Sequence, residues 1–434
     1  MSAPAGLDRL YTHRHDHARA AAGAGTPVIG IIGADVPREL VLAAGALPVR
    51  LHAARPNKST PMNGTPAAAA PAGAASGTAA PGTDRSAGYV RAAELLGATE
   101  EAAVELLGRI LDGELAFLTG LLVSHDRDSS LRIFQVLREL AKADPTLPPV
   151  HLIDLLHLPR AATEAYNLAQ VRRAAGVLGE WTGTPLQAAP LARAIEGTAA
   201  VREALLAAHA ARIGGLLAGS TVLRLFAAAE TLAPADALEL IERTLAGAPA
   251  PLADTAGTGR SPAVFLSGSA QETDALYRSI EAAGWRVVGE DHHRGLLATT
   301  IRVEAPAAGT PPTEAGDAGT LDGLLGNLAR AYGLRGPDAA TASAADRASW
   351  TVAEARRAGA DAILSWVHER DDAPRWDFPR LREAAARHSL PAVLGSEQVS
   401  SGQAPDPGVL GPLLDQLRDQ VPAQLRPCAE EATR

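Results

Sequence analysis

Residues 28–51 read VIGIIGADVPRELVLAAGALPVRL. The order is strand, tight turn, helix, glycine stop, strand. Val28–Ile32 is a short apolar run with branched residues, the pattern of a buried parallel strand. Asp35 is placed to accept hydrogen bonds from the free amides that open a helix, and Pro37 fits the first helical turn. Gly45 ends that helix and Leu47–Leu51 begins a second strand. In open α/β folds, ligands sit outside the carboxyl ends of the strands. Here that loop is Gly33-Ala34-Asp35, with room and one carboxylate but no nucleophile and no phosphate-cradling glycine series. Glu39 lies in the first helical turn, where the helix dipole favours a carboxylate and where it can also face a substrate pocket.

The same grammar extends along the chain. Residues 92–111 read as helix broken at Gly97, and 116–123 as a strand ending in Ser124-His125-Asp126-Arg127-Asp128-Ser129-Ser130. Residues 131–143 read as a helix capped by Asp128 or Ser129, and 150–153 as a strand. Residues 160–247 hold no good strand and read as long Ala/Leu/Arg helices. Strand–helix alternation returns after 262, with strands at 263–266, 285–288, 362–367 and 391–394. The expected fold class is therefore α/β: two halves with small parallel sheets of about four strands flanking a helical region. The expected domains are 1–159, 160–247 and 262–434. Residues 60–83, almost all Ala, Pro, Gly and Thr, are expected to be a flexible insertion, because they carry too little bulk to offset their ordering entropy.

The totals of the 434-residue chain bound what it can do. Apolar content is 47% and aromatic content 3%, so the core must be mostly Ala, Leu and Val. Only Lys58 and Lys142 are lysine, a bias best read as that of a high-GC bacterium. Net charge is −9 with no Arg-rich run, which argues against nucleic acid as a partner. No apolar run is long enough for a membrane span, and residues 1–25 have no apolar signal core, so a cytoplasmic location is expected. Cys428 is the single cysteine. One thiol makes no internal disulfide and no thiolate cage. Alternating His13, His15 and His17 suit a metal only if extended, and otherwise fit a solvated arm or helix start. GxGxxG, GxxxxGK[ST] and GxSxG are all absent.

Four strand ends carry the polar chemistry: 33–35, 124–130, 290–295 and 368–372. Parallel strands present their carboxyl ends on one edge, so these loops can converge if the halves face each other. Glu290-Asp291-His292-His293 is the densest. His293 and His292 suit proton transfer, with Asp291 and Glu290 orienting them. A metal is the weaker reading, because HxH and HxxxH spacings are missing; a solvated loop whose carboxylates cap the next segment is the plain one. His125 and Arg127 are candidates for a substrate pocket with Asp35, Glu39, Asp371 and Ser401. Loop histidines and turn-stabilising aspartates account for the same residues structurally. Ser267-Gly268-Ser269 after a strand can hold a phosphate, though the pattern is common in loops.

These residues also carry a resemblance. The opening stretch is similar to the start of the 2-hydroxyacyl-CoA dehydratase and benzoyl-CoA reductase subunit family. Asp128-Ser129-Ser130-Leu131-Arg132 resembles that family's CDSxxR segment, and Val288-Gly289-Glu290-Asp291 its GxD motif. Asp371-Asp372 through Asp377-Phe378-Pro379-Arg380-Leu381 resembles CDP…DxPxL, and Ser401-Gly402-Gln403 a late SGQ. The segments keep the family's order from residue 28 to about 420. The resemblance implies two Rossmann-like domains, one [4Fe–4S] cluster per subunit, a two-subunit heterodimer, an ATP-driven activator and an acyl-CoA substrate dehydrated through a ketyl radical.

The departure is in the ligands. The family's cysteine positions fall on Gly33, Arg127, His293 and Asp371, and none is cysteine. A cubane cluster needs several thiolates, so no [4Fe–4S] cluster and no metal is expected on this chain by itself. Arg127 and Asp371 are expected to form an ion pair in the former cluster space. Two functions follow. One is a cluster-free dehydratase-like lyase acting on an acyl-CoA or carrier-bound thioester by acid–base chemistry in the inter-domain cleft. The other is a non-catalytic subunit or scaffold paired with a cysteine-bearing relative, or a homodimer.

Overall fold

The computed structural model describes residues 5–53, 85–248, 261–304, 320–339, 341–397 and 403–421. The stretch 60–83, Ser401 and Cys428 lie outside the described residues. Two four-stranded sheets, every strand parallel, organise the chain. The first contains β1 (Val28–Ile32), β2 (Leu47–Arg50), β3 (Gly120–Ser124) and β4 (Val150–Ile153) in the order β2-β1-β3-β4. The second contains β5 (Ala263–Gly268), β6 (Arg286–Glu290), β7 (Ala362–His368) and β8 (Ala392–Glu397) in the order β6-β5-β7-β8. Both halves thus use one strand order, and in each the chain reverses direction of travel between its first and third strands.

The helices are α1 (Ala5–Thr12), α2 (Arg14–Gly23), α3 (Arg38–Ala43), α4 (Ala87–Leu96), α5 (Glu101–Leu111), α6 (Asp128–Leu140), α7 (Ala161–Thr182), α8 (Ala188–Ile213), α9 (Gly219–Ala229), α10 (Pro234–Ala246), α11 (Ala275–Ala282), α12 (Leu321–Gly333), α13 (Ala344–Arg357), α14 (Asp372–Ala386) and α15 (Pro407–Gln420). The opening stretch folds as its pattern dictates. All five residues of β1 are buried, and α3 gives way to Gly45 at φ +73°. Gly30 lies where a Cβ would come within 2.6 Å of Leu121 Cδ2, so only glycine lets β1 pack there.

Each sheet has apolar residues on both faces, as parallel sheets require. On one face of the first sheet, Ile29, Ile31 and Leu122 pack with Leu40, Val171, Ile195 and Leu328. On the other, Val28, Ile32, Leu121 and Val123 pack with Leu96, Leu107 and Leu137. In the second sheet Phe265 and Ile363 face α13 and α14, while Val264 and Leu364 face α11 and α15. A cluster of α1 and α8 to α10, including Leu205, Phe226 and Ile241, holds the helical segment together. Helix α12 comes late in the chain, yet Leu324, Leu328 and Tyr332 complete the core of the first sheet.

The N-terminal histidine segment is helical rather than an arm. His15 is buried with its ring centroid 6.4 Å from that of Phe117, and its Nδ1 is 3.0 Å from Arg109 Nη2. No helix among the described residues is long and apolar enough to cross a membrane.

Candidate active site

The points where strand order reverses lie between β1 and β3 and between β5 and β7, and the loops after these strands build the site. In the first half, Gly33 follows β1 at φ +91°. A Cβ there would stand 2.0 Å from Ser124 Oγ and 2.4 Å from Asp126 Oδ1. Asp126 Oδ2 accepts the Ala34 amide at 2.8 Å, so the loop after β3 closes the loop after β1. In the second half, Ser267 Oγ donates to Asp291 at 2.6 Å and Ser269 Oγ to Asp371 at 2.7 Å. The expectation of a phosphate on Ser267-Gly268-Ser269 is therefore corrected: carboxylates from the loops after β6 and β7 occupy its hydroxyls.

Between these loops lies a cleft of about 330 Å³. Gly33, Arg127, His293 and Asp371 all line it. Arg127 Nη1 is 3.2 Å from Glu100 Oε2 and 3.7 Å from Asp371 Oδ2, so the guanidinium joins the two halves. Arg370 donates from the other side to the Thr99 carbonyl at 3.3 Å. The His293 ring has no hydrogen-bond partner among the described residues. Burial, and then the surrounding Arg50, Arg127, Arg294 and Arg335, hold its pKa well below the usual histidine value, so the imidazole is neutral. Burial raises the Glu100 carboxyl, an effect opposed by Arg127.

Behind His293 stands a buried charge network. Arg50 Nη1 donates to the His293 carbonyl at 3.2 Å and to Glu230 at 2.6 Å. Arg294 Nη2 lies 2.9 Å from Glu272 Oε1 and donates to the Leu51 carbonyl at 3.0 Å. His52 Nδ1 is 2.7 Å from Arg14 Nη1 and 2.9 Å from Arg294 Nη1, and burial keeps His52 far below the usual histidine pKa. These residues tie the end of β2 to the loops after β5 and β6, and so fix the back of the cleft.

The structure divides the Glu290–His293 quartet. Only His293 reaches the cleft wall. Glu290 is fully buried, with Arg212 Nη1 at 2.5 Å, Tyr277 Oη donating at 3.0 Å and the Leu296 amide at 3.0 Å. His292 Nε2 is 3.1 Å from Tyr277 Oη on the same interior side. Asp291 accepts from Ser267, Thr351 and the Gly268 amide, and burial pushes its pKa up to about 6. β6 ends at Glu290 and the chain turns there, so that Asp291 and His292 meet Ser267, Thr351 and Tyr277 while His293 lines the cleft.

Three pocket candidates stand elsewhere. Asp35 caps no helix, because Pro37 is the N-cap of α3 and gives no side-chain bond. Its carboxylate, fully buried, pairs with Arg335 Nε and lies 2.9 Å from His157 Nε2. Glu39 joins α3 to α8 and α12, accepting from Arg202 at 2.6 Å, Thr198 at 2.8 Å and Tyr332 at 2.8 Å. His125 is half-exposed with Nδ1 3.0 Å from Asp154 Oδ1, and does not line the cleft. Ser401 lies outside the described residues. Asp128 and Ser129 do not cap α6; Arg127 holds the N-cap position without a side-chain bond.

Sequence reasoning missed Glu100, Arg370 and His368 on the cleft wall, and Arg50, Glu272 and Arg294 at its back. The one available signal was position: His368 and Arg370 follow β7, and Arg50 ends β2. Glu100 comes from the turn between two helices, which no strand-end rule identifies. Among the described residues no three His, Cys, Asp or Glu side chains group closely enough to hold a metal.

A family model described as 2-hydroxyglutaryl-CoA dehydratase, D-component, matches residues 34–396. No curated protein matches the chain.

Proposed function

Because the chain belongs to the 2-hydroxyglutaryl-CoA dehydratase D-component family, we propose that its cleft binds an acyl thioester and that His293 moves protons on it. The observation that carries this reading is the His293 imidazole, neutral and without a protein partner among the described residues, on the wall of the cleft. A proton on the carbon beside a thioester carbonyl is acidic enough for such a base, because the charge left behind spreads onto the carbonyl oxygen. Glu100, its pKa raised by burial, gives its proton to the departing hydroxyl, which leaves as water. The substrate class is a 3-hydroxyacyl thioester or similar, whose hydroxyl leaves after the neighbouring proton is removed.

We read the site as unsuited to a [4Fe–4S] cluster. The donors at the four former ligand positions are a glycine, a guanidinium, an imidazole and a carboxylate, where a cubane needs several thiolates. A side chain at position 33 would sit at φ +91° with its Cβ 2.0 Å from Ser124 Oγ and 2.4 Å from Asp126 Oδ1.

A second reading, an accessory subunit for a cysteine-bearing relative, draws on Leu156, Leu158 and Leu334, which are exposed. They lie close together, because His157 Nδ1 is 3.0 Å from the Gly333 carbonyl.

Deuterium wash-in from heavy water at the carbon beside the carbonyl tests the first reading, since it needs no leaving group. The chain alone catalyses exchange on a thioester panel, and His293→Gln slows it about 100-fold or more. Exchange that is equal in the variant removes His293 from the chemistry. Absence of exchange by the chain alone, with exchange appearing on adding a cysteine-bearing relative, favours the accessory subunit. Anaerobic reconstitution with iron and sulfide that gave visible absorbance and about four irons per chain would overturn the cluster-free reading.

A further inference from the structure

Two helix N-termini open on the same wall of the cleft. Helix α6 has 13 residues, and its N-cap Arg127 gives no side-chain bond. The first amide bonded into it is Leu131 N to the Arg127 carbonyl at 3.2 Å, which leaves the amides of Asp128, Ser129 and Ser130 without a partner among the described residues. Helix α5 has 11 residues, its N-cap Glu100 gives no side-chain bond, and its first bonded amide is Ala103 N. Ordinary capping residues would have closed these ends.

A separate observation points to a ligand there. Ser129 and Ser130 are each only 6% exposed, yet both line the cleft. Neither hydroxyl has a hydrogen-bond partner among the described residues. Two such hydroxyls on one turn stand beside three amides that have no partner among the described residues, at the positive end of a helix, and all face one wall of the cleft. The nearest guanidinium, Arg127, is held by Glu100 and Asp371, so it supplies background charge without filling the space.

We infer that the first turn of α6, with Ser129 and Ser130, is an oxyanion subsite that takes a carboxylate or phosphate group of the ligand. The subsite rests on the proposal that the cleft is where ligand binds, but not on what His293 does there. Backbone amides and hydroxyls donate to the anionic oxygens, and the α5 terminus adds its own dipole. No bond is made or broken at this subsite.

Calorimetric titration of the full chain with inorganic phosphate, and separately with glutarate, tests the inference. Wild-type protein binds at least one of them in the millimolar range. Combining Ser129→Ala with Ser130→Ala weakens that binding about tenfold or more, since each lost bond is one to a charged group. Alanine is a good helix former, so an unchanged thermal midpoint marks the variant as folded. Tighter binding of phosphate assigns the anion to a carrier's phosphate, and tighter binding of glutarate assigns it to the acid itself. His293→Gln keeps anion affinity while losing exchange, so the two proposals fail separately. No wild-type binding of either anion, or equal binding by the double alanine variant, overturns the subsite.

Discussion

Arg127 and Asp371 meet across the seam between the two halves, Nη1 3.7 Å from Oδ2. The resemblance assigns cysteine to both positions, and the two side chains line one cleft. The Arg127 side chain is 31% exposed, and the pair's own contribution is modest. A double-mutant cycle between Arg127→Ala and Asp371→Ala gives a coupling of about 1 kcal/mol in urea unfolding. The single Asp371→Ala variant costs more than Arg127→Ala, because the Ser269 hydroxyl loses its acceptor as well. A coupling of zero would mean that the two charges do not meet.

The costliest single change among the charged residues is at Arg212, away from the cleft. Arg212→Leu leaves the Glu290 carboxylate buried with only Tyr277 and the Leu296 amide. Loss of one partner of a buried pair costs about 3–5 kcal/mol. Urea unfolding of this variant measures it, and a loss below about 1 kcal/mol would mean that water reaches Glu290.

Stability falls on acidification. Burial is the main cause that lowers His15 to about 3, and His209 and His292 to about 4. Each is neutral when folded and takes up a proton more readily when unfolded. Each therefore contributes stability above the unfolded pKa of about 6.5 that is lost as pH falls toward 4. The loss is up to about 3 kcal/mol each for His209 and His292 and up to about 5 kcal/mol for His15. His209→Gln flattens the urea midpoint against pH across this window; an unchanged slope would mean that the ring already protonates in the folded protein.

Asp291 acts in the opposite sense. Its pKa, pushed up by burial to about 6, exceeds the unfolded value. The stability it contributes is present below about pH 4 and is lost as pH rises through about 6. Asp291→Asn removes a buried charge at neutral pH, so it raises stability at pH 7 and steepens the acid loss. A variant destabilised equally at pH 4 and pH 7 would show that the hydrogen bonds from Ser267 and Thr351, and not the charge, decide the outcome.

Gly33 opposes a side chain of any kind. Both the positive φ and the 2.0 Å approach of Ser124 Oγ oppose a side chain. Gly33→Cys lowers unfolding free energy by about 2–4 kcal/mol. Gly33→Cys with Ser124→Gly and Asp126→Gly recovers part of the space but still pays for φ. A Gly33→Cys protein as stable as wild type would show that the loop relaxes freely.

Much of the fold was legible because it rests on local pattern. The apolar runs at 28–32, 150–153 and 362–367, and the glycine stops at Gly45 and Gly97, coincide with strand and helix limits. Strand order was not legible, since nothing local says that β3 returns beside β1. The site was partly legible: strand-end position and the resemblance led to Arg127, His293 and Asp371. Asp35 and Glu39 show what sequence alone misses. Capping and dipole arguments explain a carboxylate by its own helix, whereas both are bound by Arg335 and Arg202, partners 300 and 163 residues away. Long-range charge pairing has no periodic signature.

The placement of α12 bears on how the protein is made. A ribosome delivers the strands of the first sheet by residue 153 but not Leu324, Leu328 and Tyr332, which close its core. Until then Leu40 and Val171 face an unfilled gap. The early half is thus not a self-sufficient folding unit, and a fragment ending near residue 247 would carry an open apolar groove and aggregate. Nascent-chain folding should wait for the arrival of this distant helix, which makes the first half fold slowly for its size.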